Sequence, residues 1–76
     1  MIKINVPFLG EGIDEVTVSA WYFKEGDLIS AGQDVVEVAA DKAIFNIESD
    51  QAGVLKEIVV LEGKSAKIGE TLAIVE

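Results

Sequence analysis

Lys42, in the run Ala40-Asp41-Lys42-Ala43, is the residue of this chain whose type and setting best suit covalent chemistry. An exposed lysine is a weak acid–base catalyst at neutral pH, because its ammonium ordinarily titrates far above it. Its amine can nevertheless be acylated, and an acylated lysine is a long arm on whatever base carries it. The chain has no His and no Cys, which removes the commonest general base, the thiolate nucleophile and the ligands of a zinc site. Its carboxylates are spread along turns. The cluster Glu11, Asp14 and Glu15 reads as the solvated face of a loop. Gly10-Glu11-Gly12 lacks the lysine and the following helix that a phosphate-binding loop needs. Taken alone, Lys42 would be an ordinary turn lysine, so its setting decides its role.

Seventy-six residues make one domain, near the lower limit at which an unstapled core is stable. With no disulfide or zinc available, stability must come from apolar burial, and the 50% hydrophobic content allows it. The formal net charge is -8, and the only cations are six lysines. That counts against nucleic acid, whose phosphates need clustered cations, and against an anionic membrane surface. The charge is the kind that keeps a small domain dispersed. No apolar run spans a bilayer, and the alternation that starts at Ile2 is not a signal peptide. With Met1 as the native start, the chain is expected to stay where it is made: the bacterial cytoplasm, or the mitochondrial matrix if a presequence was removed.

The elements that must position Lys42 come from a repeat. Gly26 and Gly63 lie 37 residues apart, as do Gly32 and Gly69. At the same offset Glu25 falls on Glu62, Gln33 on Glu70, Val35 on Leu72, Val18 on Leu55 and Trp21 on Ile58. Two copies are too few for a solenoid but suit a closed β structure with quasi-two-fold symmetry. Strands are expected at Ile2 to Val6, Glu15 to Phe23, Val35 to Ala39, Ala43 to Glu48, Gly53 to Leu61 and Leu72 to Val75. The glycines at the intervening turns point to positive φ. Alternation is imperfect in the two long strands, which are expected to bend and contribute to both sheets. Trp21 is expected in or near the core.

Lys42 falls between two of these strands. With Asp41-Lys42 as a two-residue loop, the numbers of facing residues add to 83, which pairs Val38 with Phe45, Val36 with Ile47 and Glu37 with Asn46. Val36, Val38, Phe45 and Ile47 then share one face and the polar pair takes the other. A slip of one residue spoils the match. Asp-Lys lacks the Asn or Gly that the tightest hairpin turns favour, so a type I turn is expected.

Together these residues resemble a lipoyl domain of the 2-oxo acid dehydrogenase complexes, the carrier module of a dihydrolipoyl acyltransferase. The resemblance covers nearly the whole chain: Pro7-Phe8-Leu9-Gly10-Glu11-Gly12-Ile13, then Trp21 with Lys24-Glu25-Gly26-Asp27, then Asp41-Lys42-Ala43, then Gly53 and Glu62-Gly63. It implies an all-β flattened barrel of two antiparallel sheets, the hammerhead-like fold of lipoyl and biotinyl carriers. It also implies covalent lipoate on Lys42, with Asp41 and Ala43 as the residues by which the turn is recognised. The implied partners are a lipoate ligase or lipoyl transferase, a thiamine-diphosphate-dependent 2-oxo acid decarboxylase, a dihydrolipoyl dehydrogenase and an acyltransferase core. Phe8, Leu9, Gly10, Glu11, Gly12 and Ile13 would help the decarboxylase recognise its carrier. The family usually has Glu-Thr where this chain has Ala39-Ala40, and a glycine where it has Val16.

Other carriers fit less well. A biotin carrier shares the fold but flanks its lysine with methionines, and the only Met here is Met1. The lipoylated carrier of glycine cleavage is larger and has helices. An unmodified lipoyl-like adaptor needs no acceptor lysine and sits between helical hairpins. With Glu76 directly after the last strand, residues 1–76 are expected to be one carrier domain of a longer acyltransferase, itself without catalytic residues.

Overall fold

A computed structural model describes residues 2–76; Met1, and the expectation about the chain's start, lie outside them. The strands are β1 (Ile2–Asn5), β2 (Glu15–Trp21), β3 (Leu28–Ile29), β4 (Asp34–Ala40), β5 (Ala43–Glu48), β6 (Gly53–Ile58), β7 (Ser65–Lys67) and β8 (Thr71–Val75). They form two four-stranded antiparallel sheets, ordered β1-β8-β6-β3 and β5-β4-β2-β7. Strands β3 and β7 are too short to show as alternation in the sequence. Each is an edge strand held by a single neighbour.

The repeat is realised bond for bond. Gly26 N–H donates to the Leu55 carbonyl at 2.7 Å, and Gly63 N–H to the Val18 carbonyl at 2.8 Å. Tyr22 N–H donates to Val35 at 3.0 Å and Val59 N–H to Leu72 at 2.8 Å. Side chains obey the same operation: Glu25 Oε2 accepts from Ile58 N–H at 2.9 Å, and Glu62 Oε2 accepts from Trp21 N–H at 3.1 Å. Each half thus caps a backbone donor of the other. Gly26 and Gly63 have φ of 97° and 85°, Gly32 and Gly69 of 81° and 89°. A β-carbon is disfavoured in that region, which is why the same turns carry glycine twice.

The two long strands do not join both sheets as expected. Strand β2 pairs only with β4 and β7, and β6 only with β3 and β8. Their broken alternation comes from bulges at Ser19 and Lys56, again 37 apart. An inserted residue reverses the facing of everything after it. The core lies between the sheets, with Val16, Val18, Val35, Val36, Val38, Leu55, Leu72 and Val75 at its centre. Trp21 is half-buried against it, its indole N–H donating to the Val60 carbonyl at 2.9 Å.

Strand β8 with β1 repeats the pairing of β4 with β5. Ile4 faces Ala73 as Ile47 faces Val36, and Ile2 faces Val75 as Phe45 faces Val38. The operation that relates the halves therefore carries the Lys42 turn onto the chain ends. One pole of the domain is closed by a turn, and the other holds the paired Ile2 and Val75.

Gly53 is the most tightly enclosed of the glycines. A β-carbon there would lie 2.7 Å from Val75 Cγ1 and 2.8 Å from the Glu76 carbonyl oxygen. Backbone cannot swing aside as a side-chain tip can, so Gly53→Ala must push β6 away from β8. We expect it to lower stability by about 1–3 kcal/mol, read from the urea midpoint, with Ser65→Ala on an exposed edge changing it by no more than about 0.5 kcal/mol.

Candidate functional site: the Lys42 turn

The β4–β5 hairpin has the register read from the sequence. Ala40 faces Ala43, Ala39 faces Ile44, Val38 faces Phe45, Glu37 faces Asn46 and Val36 faces Ile47. Asp34 then faces Glu48, with Val35 as an extra residue that tucks into the core. Val36, Val38 and Ile47 are buried and Phe45 is half-buried, all on the inner face. Phe45 is less enclosed than a full core partner of Val38 because β5 is the edge of its sheet. No described residue other than glycine has positive φ. This excludes the type I′ and II′ turns at Asp41-Lys42 and leaves negative φ at both, as in a type I turn.

Asp41, Lys42 and Ala43 are all exposed at the tip. Among the described residues the single ion pair is Lys56 Nζ with Glu76 Oε2 at 2.7 Å, so the Lys42 amine is not tied to a carboxylate. The other lysines stand differently. Lys3 and Lys56 are within strands, Lys67 ends β7 opposite Glu15, and Lys24 and Lys64 lie in the loops that cross between the sheets. A free amine on a tight turn, backed by a registered hairpin, is an arrangement that can carry an acyl group away from a rigid base.

The segment before β2 reaches the same pole. Thr17 faces Ala39, two residues before Asp41, and Glu15 at the start of β2 faces Lys67. Ahead of Glu15, the Asp14 carbonyl accepts from Ile68 N–H at 3.0 Å. Gly10 and Gly12 both have positive φ, and Ile13 N–H donates to the Gly10 carbonyl at 3.3 Å, folding the loop on itself. Leu9 and Ile13 pack on the core, whereas Glu11 and Gly12 are exposed and Phe8 is 73% exposed. The loop thus divides into two anchors and an outward set.

Two residues on the outer face of this sheet were missed in the sequence. Tyr22 O–H lies 2.8 Å from Asn46 Oδ1 and 3.3 Å from Glu37 Oε1, tying the end of β2 to the outer polar pair of the hairpin. Ile44 is the other: it points outward, 67% exposed, on the strand that leaves the turn.

A match to known proteins bears on what the turn is for. The family model described as biotin-requiring enzyme, the biotin/lipoyl model, matches residues 2–75. The chain belongs to this biotin/lipoyl family. A solution structure of the lipoyl domain of the 2-oxoglutarate dehydrogenase complex from Azotobacter vinelandii superposes with a TM-score of 0.79 at 30% identity, covering 100% of this chain and 96% of that one. The dihydrolipoyllysine-residue succinyltransferase component of the 2-oxoglutarate dehydrogenase complex of Staphylococcus saprophyticus is 36% identical over 99% of this chain. The lipoamide acyltransferase component of the mitochondrial branched-chain alpha-keto acid dehydrogenase complex of Bos taurus is 38% identical over 100% of it. The chain spans 18% and 16% of those two proteins. Among the described residues no helix is long and apolar enough to cross a membrane.

For this biotin/lipoyl domain the Tyr22 contact gives a testable electrostatic signature. Desolvation first, and then the Glu37 carboxylate, push the Tyr22 phenol above its ordinary value of 10.0. A raised folded-state value means that the stability it contributes is complete below the unfolded value and is lost as pH rises through the folded one. Tyr22 is the only tyrosine, so phenolate absorbance reports it directly. The titration midpoint is expected above 10.0 in the parent, falling in Glu37→Gln yet staying raised because desolvation remains.

Proposed function

We propose that this domain is a swinging-arm carrier with lipoate joined to Lys42 as an amide. The observation that carries the reading is an unpaired lysine at the tip of a two-residue turn backed by a registered hairpin. The hairpin is a rigid base, and the arm would be free at its tip. Bound there, lipoate supplies a dithiolane, a disulfide held far from its relaxed dihedral angle, which can be reductively acylated, give up its acyl group to coenzyme A and be reoxidised.

The chain's own residues hold and present rather than catalyse. Asp41 and Ala43 flank the amine with one small carboxylate and one methyl, so nothing bulky blocks a ligase or transferase. Amide formation removes the ammonium charge and takes the formal charge one unit below -8. Tethering raises the local concentration of the arm at each partner site to about millimolar for short flexible links. The partners on this reading are a thiamine-diphosphate-dependent 2-oxo acid decarboxylase, a dihydrolipoyl dehydrogenase and the acyltransferase core of a longer parent chain. The outward residues of the loop, Phe8, Glu11 and Gly12, would meet the decarboxylase, with Leu9, Gly10 and Ile13 shaping the loop.

Intact-mass measurement after incubation with lipoate, ATP and a lipoate ligase, and in parallel with biotin, ATP and a biotin ligase, separates lipoyl, biotinyl and unmodified readings. One lipoyl increment is expected on the parent and none on Lys42→Ala. That variant should keep the parent's urea midpoint within about 0.5 kcal/mol, since an exposed tip residue holds little together. A mass gain persisting in Lys42→Ala would move the site elsewhere.

A further inference from the structure

The outer face of the lysine-bearing sheet is not uniformly polar. Ile44 faces Ala39, Ala39 faces Thr17 and Thr17 faces Ser65, which makes one row across β5, β4, β2 and β7. All four are on the outward alternation, since Phe45, Val38, Val18 and Ala66 beside them turn inward. The row is a shelf of small side chains from which Ile44 rises, 67% exposed. Toward the tip it is bounded by Asp41 and the Glu15–Lys67 pair, and away from the tip by Asn46, Glu37 and Tyr22. A large aliphatic side chain held in water two residues from the acceptor amine contributes little to this fold.

We infer that Ile44, seated beside Ala39, is the apolar contact on which the lipoate-attaching enzyme docks; the inference rests on Lys42 being the lipoylated residue. The occupant follows from reach. The attaching enzyme forms its bond at Lys42 Nζ, so it must come within one lysine side chain of the turn and cover its immediate neighbours. An enzyme working on the far end of the finished arm need not touch the sheet. The inner face of the hairpin is closed by Val36, Val38 and Ile47, which leaves the outer face for approach. The patch is therefore continuous with the site of reaction. The matching surface is an apolar pocket with hydrogen-bond donors or cations placed for Asp41 and Glu15.

The test is steady-state lipoylation of the purified domain by lipoate ligase with ATP, comparing the parent, Ile44→Ser, Ile44→Val and Leu28→Ser. Leu28 is the control: it is 76% exposed, in β3 of the other sheet. Burying an aliphatic side chain in a partner is worth enough that Ile44→Ser should raise KM for the domain at least about tenfold, with kcat unchanged. Ile44→Val should restore most of the affinity, and Leu28→Ser should match the parent. An unchanged KM for Ile44→Ser overturns the inference, as does an equal rise in Leu28→Ser. So does an Ile44→Ser domain that is lipoylated normally and then loaded slowly by a 2-oxo acid decarboxylase, because the patch would then belong to that enzyme. A parent domain that gains no mass at all would instead strike the carrier reading, and the two failures are separately visible.

Discussion

The register of β4 against β5 is the constraint on which the rest depends. Val36 and Val38 face Ile47 and Phe45 across the inner side, while Glu37 and Asn46 face each other outside. Sliding β5 by a single residue would turn the Asn46 amide toward the core and Phe45 and Ile47 toward water. The same slip would move Lys42 off the tip. The apolar pattern that builds the core therefore also aims the Lys42 amine. Tyr22 reinforces it from outside, reaching across to both members of the polar pair.

Quasi-two-fold symmetry makes this hairpin a stiff base. The halves exchange caps, Glu25 to Ile58 and Glu62 to Trp21, so neither turn loop is held by its own half alone. The operation repeats the bulges at Ser19 and Lys56 and the tucked residues at Val35 and Leu72. It fails at the poles, where one strand pair ends in Asp41-Lys42 and the other in the chain ends. In a chain this small and without crosslinks, such exchange between distant segments matters, because no large core stands behind it.

Much of this was legible in the sequence. The 37-residue offset revealed the symmetry, since matched glycines and glutamates are few enough in type for their coincidence to carry weight. Lys42 was legible because its flanks are small and the strands on either side match in only one register. Strands β3 and β7 were not, because two or three residues cannot establish a period. Nor were the bulges, which look in sequence like strands serving two sheets. Tyr22 and Ile44 escaped for another reason. What each does depends on which residues stand beside it across strands, and a linear pattern records only the neighbours along the chain. The family match supports the carrier assignment without bearing on these local details.

On the carrier reading the fold presents one amine in one direction, so that position in the turn matters and possession of a lysine does not suffice. Exchanging the pair, as Asp41→Lys with Lys42→Asp, preserves composition, formal charge and hairpin length while moving the amine by one residue. Neighbouring turn residues point in different directions, and a small displacement of a nucleophile can cost a reaction about a hundredfold. The decisive measurement is the rate of mass gain of parent and exchanged domains at one ligase concentration. A loss of about a hundredfold is expected in the exchanged domain, with its urea midpoint kept. Equal rates would contradict it, because the enzyme would then be reading any mobile lysine rather than a defined turn.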